Sequence, residues 1–118
     1  MLPIRPCNEP YGLLMARILV TWQLGGGLGH LVPLWPLVRG LCERGHRVFA
    51  ALKDLSRAGA VFGRTGVSYL QAPFRLGRVE SHIERPRTFA QILHNVAFGD
   101  VEELRTLGDA WRNLYDYV

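Results

Sequence analysis

The sequence predicts an α/β fold: a parallel sheet with flanking helices. Three observations predict it. Short apolar runs alternate with segments of helical periodicity, the connections between them are short, and a glycine cluster separates the first strand from the first helix. With 118 residues, 48% of them hydrophobic and 20% charged, the chain is sized and composed as one globular domain. Disorder is excluded on composition.

Residues 1–14 show neither a helical nor a strand period and are broken by Pro3, Pro6, Pro10 and Gly12. Residues 1–16 therefore read as an irregular N-terminal extension, with Met15 a candidate initiator, and residues 17–118 as the domain. Ile18 to Trp22 is an apolar run without alternation, the pattern of a strand buried on both faces of a parallel sheet. After the glycine cluster, Leu31, Leu34, Trp35, Val38, Leu41 and Cys42 recur at three- and four-residue steps. Pro33 fits the first turn of that helix; Pro36 requires a kink or a later start. Gly45 stands where a left-handed helix terminus is expected.

His46 to Leu52 reads as the second strand, and Asp54 as the cap of a helix over Leu55–Gly63. Gly66 marks a turn before a third strand over Val67–Leu70. Phe74 to Arg87, polar and bounded by prolines, reads as a long loop. Phe89, Ile92, Leu93, Val96 and Ala97 then form a helical stripe ending at Gly99. Asp100 caps a last helix with its stripe on Val101, Leu104, Leu107, Trp111 and Leu114.

Residues 17–87 hold eleven Arg and Lys against four carboxylates, which points to an anionic partner. The cations are scattered and lack interleaved aromatics, so nucleic acid is the weaker reading. Two cysteines, Cys7 and Cys42, cannot form a disulfide scaffold; reduced thiols are expected, with Cys42 on an apolar helix face. Cys42 and His46 lack a second pair of ligands, so no metal is expected. No segment is long and apolar enough to span a bilayer and no signal peptide is visible, so the expected compartment is the cytoplasm.

Chemistry concentrates in Gly25-Gly26-Gly27-Leu28-Gly29-His30. Glycines admit a ligand close to the backbone, and the carboxyl edge of a parallel sheet is where open α/β folds bind ligands. The dinucleotide spacing G-x-G-x-x-G fails in both registers, at His30 and at Val32. His30 is a candidate proton acceptor near neutral pH. Gly26, Gly27, Leu28 and Gly29 are the candidate substrate-binding backbone. His82 is expected to be solvated, His94 packed or partly exposed, and Trp22, Trp35 and Trp111 packed in the core. The loop residues Arg75, Arg78, Arg85 and Arg87, interleaved with Glu80 and Glu84, read as a solvated surface.

Arg17 to Leu52 resembles the opening of a family 1, UDP-glycosyltransferase-like enzyme with the GT-B fold. The resemblance rests on the glycine loop with His30, on Val32-Pro33-Leu34, and on Arg44-Gly45-His46-Arg47-Val48. Less specific similarity extends to residue 118. It implies a partial Rossmann-like sheet, the N-terminal, acceptor-side half-domain of a GT-B fold. It further implies that His30 is the general base for inverting transfer from a nucleotide sugar to an acceptor hydroxyl. The nucleotide sugar is then a co-substrate, no cofactor or metal is expected, and the donor-binding C-terminal domain is a missing partner. Asp100, Asp109 and Asp116 are not expected to serve as the carboxylate that orients this histidine. The chain alone is expected to be inactive. The rival reading is a small non-catalytic module holding a phosphate or nucleotide on the glycine loop.

Overall fold

The computed structural model of the chain describes residues 15–24, 27–63 and 65–118. The expected extension up to residue 14, Cys7, Gly25 and Gly26 lie outside the described residues. The chain divides into two compact units, residues 1–72 with Val118, and residues 73–117.

In the first unit, strands β1 (Arg17–Trp22), β2 (Arg47–Leu52) and β3 (Ser68–Gln71) form a parallel sheet in the order β1-β2-β3. The fold class is therefore α/β, with a three-stranded parallel sheet and flanking helices. Ile18 pairs with Val48, Val20 with Ala50 and Trp22 with Leu52. Side chains alternate between faces, so these six share one face of the sheet. That face joins Val38 and Cys42 of helix α2 (Trp35–Glu43) and Ala58 and Phe62 of helix α3 (Ala58–Phe62) in one core. Phe49 and Ala51, on the opposite face, are buried as well, with the guanidinium groups of Arg17 and Arg47 over the Phe49 ring at 5.5 and 5.1 Å.

The expected single helix after the glycines is three helical pieces. Helix α1 (Leu28–Leu31) opens before the expected start, a 3₁₀ turn covers Val32–Leu34, and α2 follows directly. Each proline sits in the first two positions of a new piece, where a missing N–H costs no intrahelical bond. Gly45, at φ 85°, ends α2. Its N–H donates to the Cys42 carbonyl at 2.9 Å and that of His46 donates to Leu41 at 3.1 Å, the paired bonds of a Schellman terminus. His46 Nδ1 accepts from the Ala16 N–H at 3.2 Å, and Arg47 N–H donates to the Ala16 carbonyl at 2.9 Å. The imidazole of His46 thus ties the entry of β1 to that of β2.

Two expectations are corrected here. Asp54 does not cap a helix over Leu55–Gly63: α3 is shorter and starts at Ala58. The Asp54 carboxylate instead accepts from the Ser56 backbone N–H at 2.9 Å and from Ser56 Oγ at 2.6 Å. An Asp side chain that closes its own turn competes with helix initiation, and here the turn prevails. Cys42, buried on α2, is half of a disulfide and not a free thiol.

β1 has β2 on one side and, among the described residues, no strand on the other. Ile18 and Leu19 present apolar side chains to opposite faces and are only half-buried, without the charges or prolines that block edge pairing. Purified residues 1–118 are expected to self-associate through this edge, read by light scattering. A monodisperse monomer would contradict it.

In the second unit, Phe74 to Arg87 holds no helix or strand, as expected of a loop. Arg78 pairs with Glu84 at 2.6 Å within it. Helix α4 (Phe89–Leu93) begins with a capping box: Thr88 Oγ1 accepts from the Gln91 N–H at 3.2 Å, and Gln91 Oε1 from the Thr88 N–H at 3.3 Å. The expected continuous stripe changes at His94 into a π turn, His94–Phe98. A Cβ at Gly99 would collide with His94 Nδ1, so the turn stops at a residue that must stay bare. Asp100 caps helix α5 (Val101–Tyr117) as expected, accepting from the Glu103 N–H at 2.9 Å. Among the described residues, no helix is long and apolar enough to cross a membrane.

Candidate functional site at the carboxyl edge of the sheet

The first strand ends at Trp22, whose carbonyl accepts from the Lys53 N–H at 2.9 Å, continuing the β1–β2 ladder one residue past β2. Gly27 is the extended residue that opens α1, at φ −97° and ψ 147°. The short α1 places His30 one helical turn later, its N–H donating to the Gly27 carbonyl at 3.4 Å. The His30 side chain is exposed. One face of its ring lies on the Trp22 indole, with centroids 4.4 Å apart and planes 22° from parallel. Among the described residues it makes no side-chain hydrogen bond or ion pair. Both ring nitrogens are therefore open at the ring edge.

A small cleft beside this pair is lined by Trp22, Gly27, Leu28 and Leu31, and by Leu52, Lys53, Asp54 and Arg57 from the end of β2 and the approach to α3. Trp22 belongs both to this cleft and to the His30 stack. Two of the expected substrate-binding residues, Gly27 and Leu28, line the cleft; Gly29 and His30 stand next to it; Gly26 lies outside the described residues. The Asp54 carboxyl is held below the usual carboxylate range by its two bonds from Ser56, so it enters the cleft as an anion already committed to a turn. Lys53 and Arg57 were not singled out by pattern. They become neighbours of the glycine loop only because β2 lies beside β1 in parallel.

Gly27 and Gly29 do not need their bareness for the protein's own backbone. Neither Gly27 nor Gly29 has positive φ, and a Cβ at Gly29 would meet no atom within 4 Å. Positive φ is therefore not what calls for glycine at these two positions. Close approach of a ligand is the remaining physical reason for a bare surface. Gly29→Ala is accordingly expected to raise stability slightly, by up to about 1 kcal/mol, because Gly29 lies within helical backbone. Gly27→Val or Gly29→Val should weaken ligand binding more than Leu28→Ala does. Equal binding by all three variants, measured by calorimetry, would leave the loop as a connector.

A second cluster lies within the other unit, in a cavity lined by Arg75, Glu80, Ser81, His94, Asp100 and Glu103 among others. His94 Nε2 is 2.9 Å from Ser81 Oγ and 3.0 Å from the Ser81 carbonyl oxygen. A carbonyl has no proton to give, so Nε2 is the donor and is not free to take the Ser81 proton. Arg75 is paired with Glu103 at 2.7 Å. Asn95 clamps the loop through Ile83, accepting from its N–H and donating to its carbonyl, both at 2.8 Å. This cluster straps the loop to the π turn. His82, expected to be solvated, is half-buried with Nδ1 sealed from solvent and unpartnered. Trp35 is half-buried against the core, as expected, with Arg39 over its ring at 5.2 Å. Among the described residues, no three His, Cys, Asp or Glu side chains are grouped as metal ligands would be.

No protein-family model, curated protein or solved structure matches the chain. A functional reading therefore rests on the chain's own residues and their geometry.

Proposed function

We propose that this chain is the acceptor-side, N-terminal half-domain of a nucleotide-sugar glycosyltransferase of the UDP-glycosyltransferase-like kind with a GT-B fold, acting in the cytoplasm. The observation that carries the reading is His30. Its imidazole stands exposed at the carboxyl edge of a parallel sheet, directly after the glycine loop, with both nitrogens unengaged. A sugar or phenolic hydroxyl is a poor nucleophile until its proton is removed. His30 accepts that proton while the acceptor oxygen bonds to the anomeric carbon. The bond from that carbon to the nucleotide diphosphate breaks, and the configuration inverts. A positioned base contributes about 10²–10⁴-fold to such a step. The glycine loop admits the acceptor close to the backbone, and the donor binds on a second domain across the cleft.

The test joins residues 1–118 to a donor-binding half and offers the product nucleotide sugars and a panel of hydroxylated acceptors. Transfer with an inverted anomeric centre, read by NMR, is the expected result. Binding of phosphate or nucleotide by residues 1–118 alone, with no transfer by the joined protein, would replace this reading with that of a small phosphate-binding module.

A further inference from the structure

We propose that Trp22 is the positioning residue of this site, holding the His30 ring by face-to-face stacking in the place of a carboxylate partner; the inference rests on the reading of His30 as a base. Two independent observations carry it. The first is the stack itself, 4.4 Å between centroids and 22° between planes. Among the described residues no carboxylate pairs with His30, and the polar side chains lining the adjoining cleft are Lys53, Asp54 and Arg57, of which Asp54 is held by Ser56. Among the described residues, no hydrogen bond, ion pair or second ring contact fixes the ring plane; the indole face does. The second is that the Trp22 Nε1–H is buried with no hydrogen-bond partner. A buried donor without a partner is a cost that phenylalanine or leucine would avoid. Packing alone does not account for an indole here.

The stacking geometry suits a base. A carboxylate partner would occupy one ring nitrogen, whereas a stacked face leaves both nitrogens free in the ring plane. Orientation of the ring then comes from one side chain, anchored at the end of β1 by the sheet.

The test has two parts. In residues 1–118, labelled at histidine and assigned through His30→Ala, the His30 ring protons should resonate upfield under the indole ring current. The displacement should survive in part in Trp22→Phe and vanish in Trp22→Leu. Trp22→Phe loses ring volume but also the orphaned N–H, so it should lower the melting temperature less than Trp22→Leu does. In the protein joined to a donor-binding half, Trp22→Leu should lower kcat about 2- to 10-fold with KM little changed, the size expected of one aromatic stack. Trp22→Phe should restore most of that loss. In the His30→Ala background, Trp22→Leu should cost nothing more, because Trp22 acts through His30. Unshifted His30 resonances would overturn the inference. So would an equal loss from Trp22→Leu in both backgrounds, although the role of His30 would then stand. A silent His30→Ala would remove the reading of the site and the inference with it.

Discussion

Phe62→Ala is expected to remove a large share of the stability of the sheet-bearing unit. The side chain is fully buried, at 0% exposure, on the inner face of α3. It belongs to the same core as Val48, Ala50 and Leu52 of the central strand and Val38 and Cys42 of α2, and its ring lies 6.5 Å from that of Tyr69 on β3. Truncating a buried phenylalanine costs about 3–5 kcal/mol, the lost transfer energy plus the cavity left behind. A domain of this size has only about 5–15 kcal/mol in total. Phe62 is the last residue of the five-residue α3, which ends at Gly63 with φ 55°. Chemical denaturation should show a much lower midpoint for Phe62→Ala and a smaller loss for Phe62→Leu. A midpoint within error of the parent would mean that α3 does not close the core.

The strands were legible because a buried parallel strand has a plain signature. Ile18 to Trp22 and His46 to Leu52 are apolar runs punctuated by glycine, and the observed strands differ from them by one residue at one end. Helix boundaries were less legible. Pro33 and Pro36 forbid one continuous helix but permit several restarts, and only the full chain of backbone angles selects three pieces. Asp54 is ambiguous in principle, since the carboxylate that caps a helix can equally close a turn onto Ser56. The capping box at Thr88 and Gln91 was present in the sequence as a Thr with Gln three residues on, and could have been read there.

Of the site, His30 was legible from its place after the glycines; its partner was not. Trp22 read as a core residue, which it partly is. That its exposed face meets His30 depends on how the chain turns between the end of β1 and Gly27, and no periodicity records that path. Lys53 and Arg57 were hidden for a related reason: their nearness to Gly27 follows from strand order, not from spacing along the chain. His82 was misjudged because loop residues are polar on average, whereas this one is half-buried with Nδ1 sealed from solvent.

The central claim is that His30 does chemistry and carries little of the fold, and His30→Ala separates the two. The side chain is exposed, makes no hydrogen bond among the described residues, and touches the fold through one aromatic face. Its removal should cost no more than that stack, about 0.5–1.5 kcal/mol, and should leave the melting transition of residues 1–118 nearly in place. Catalysis should suffer far more, because without a base the acceptor hydroxyl must attack while still protonated. Joined to a donor-binding half, His30→Ala should turn over at least about 10²-fold more slowly than the parent at saturating substrates. The two should share a far-ultraviolet spectrum. Turnover within a few-fold of the parent would contradict the account, and so would a variant that loses activity only because it no longer folds.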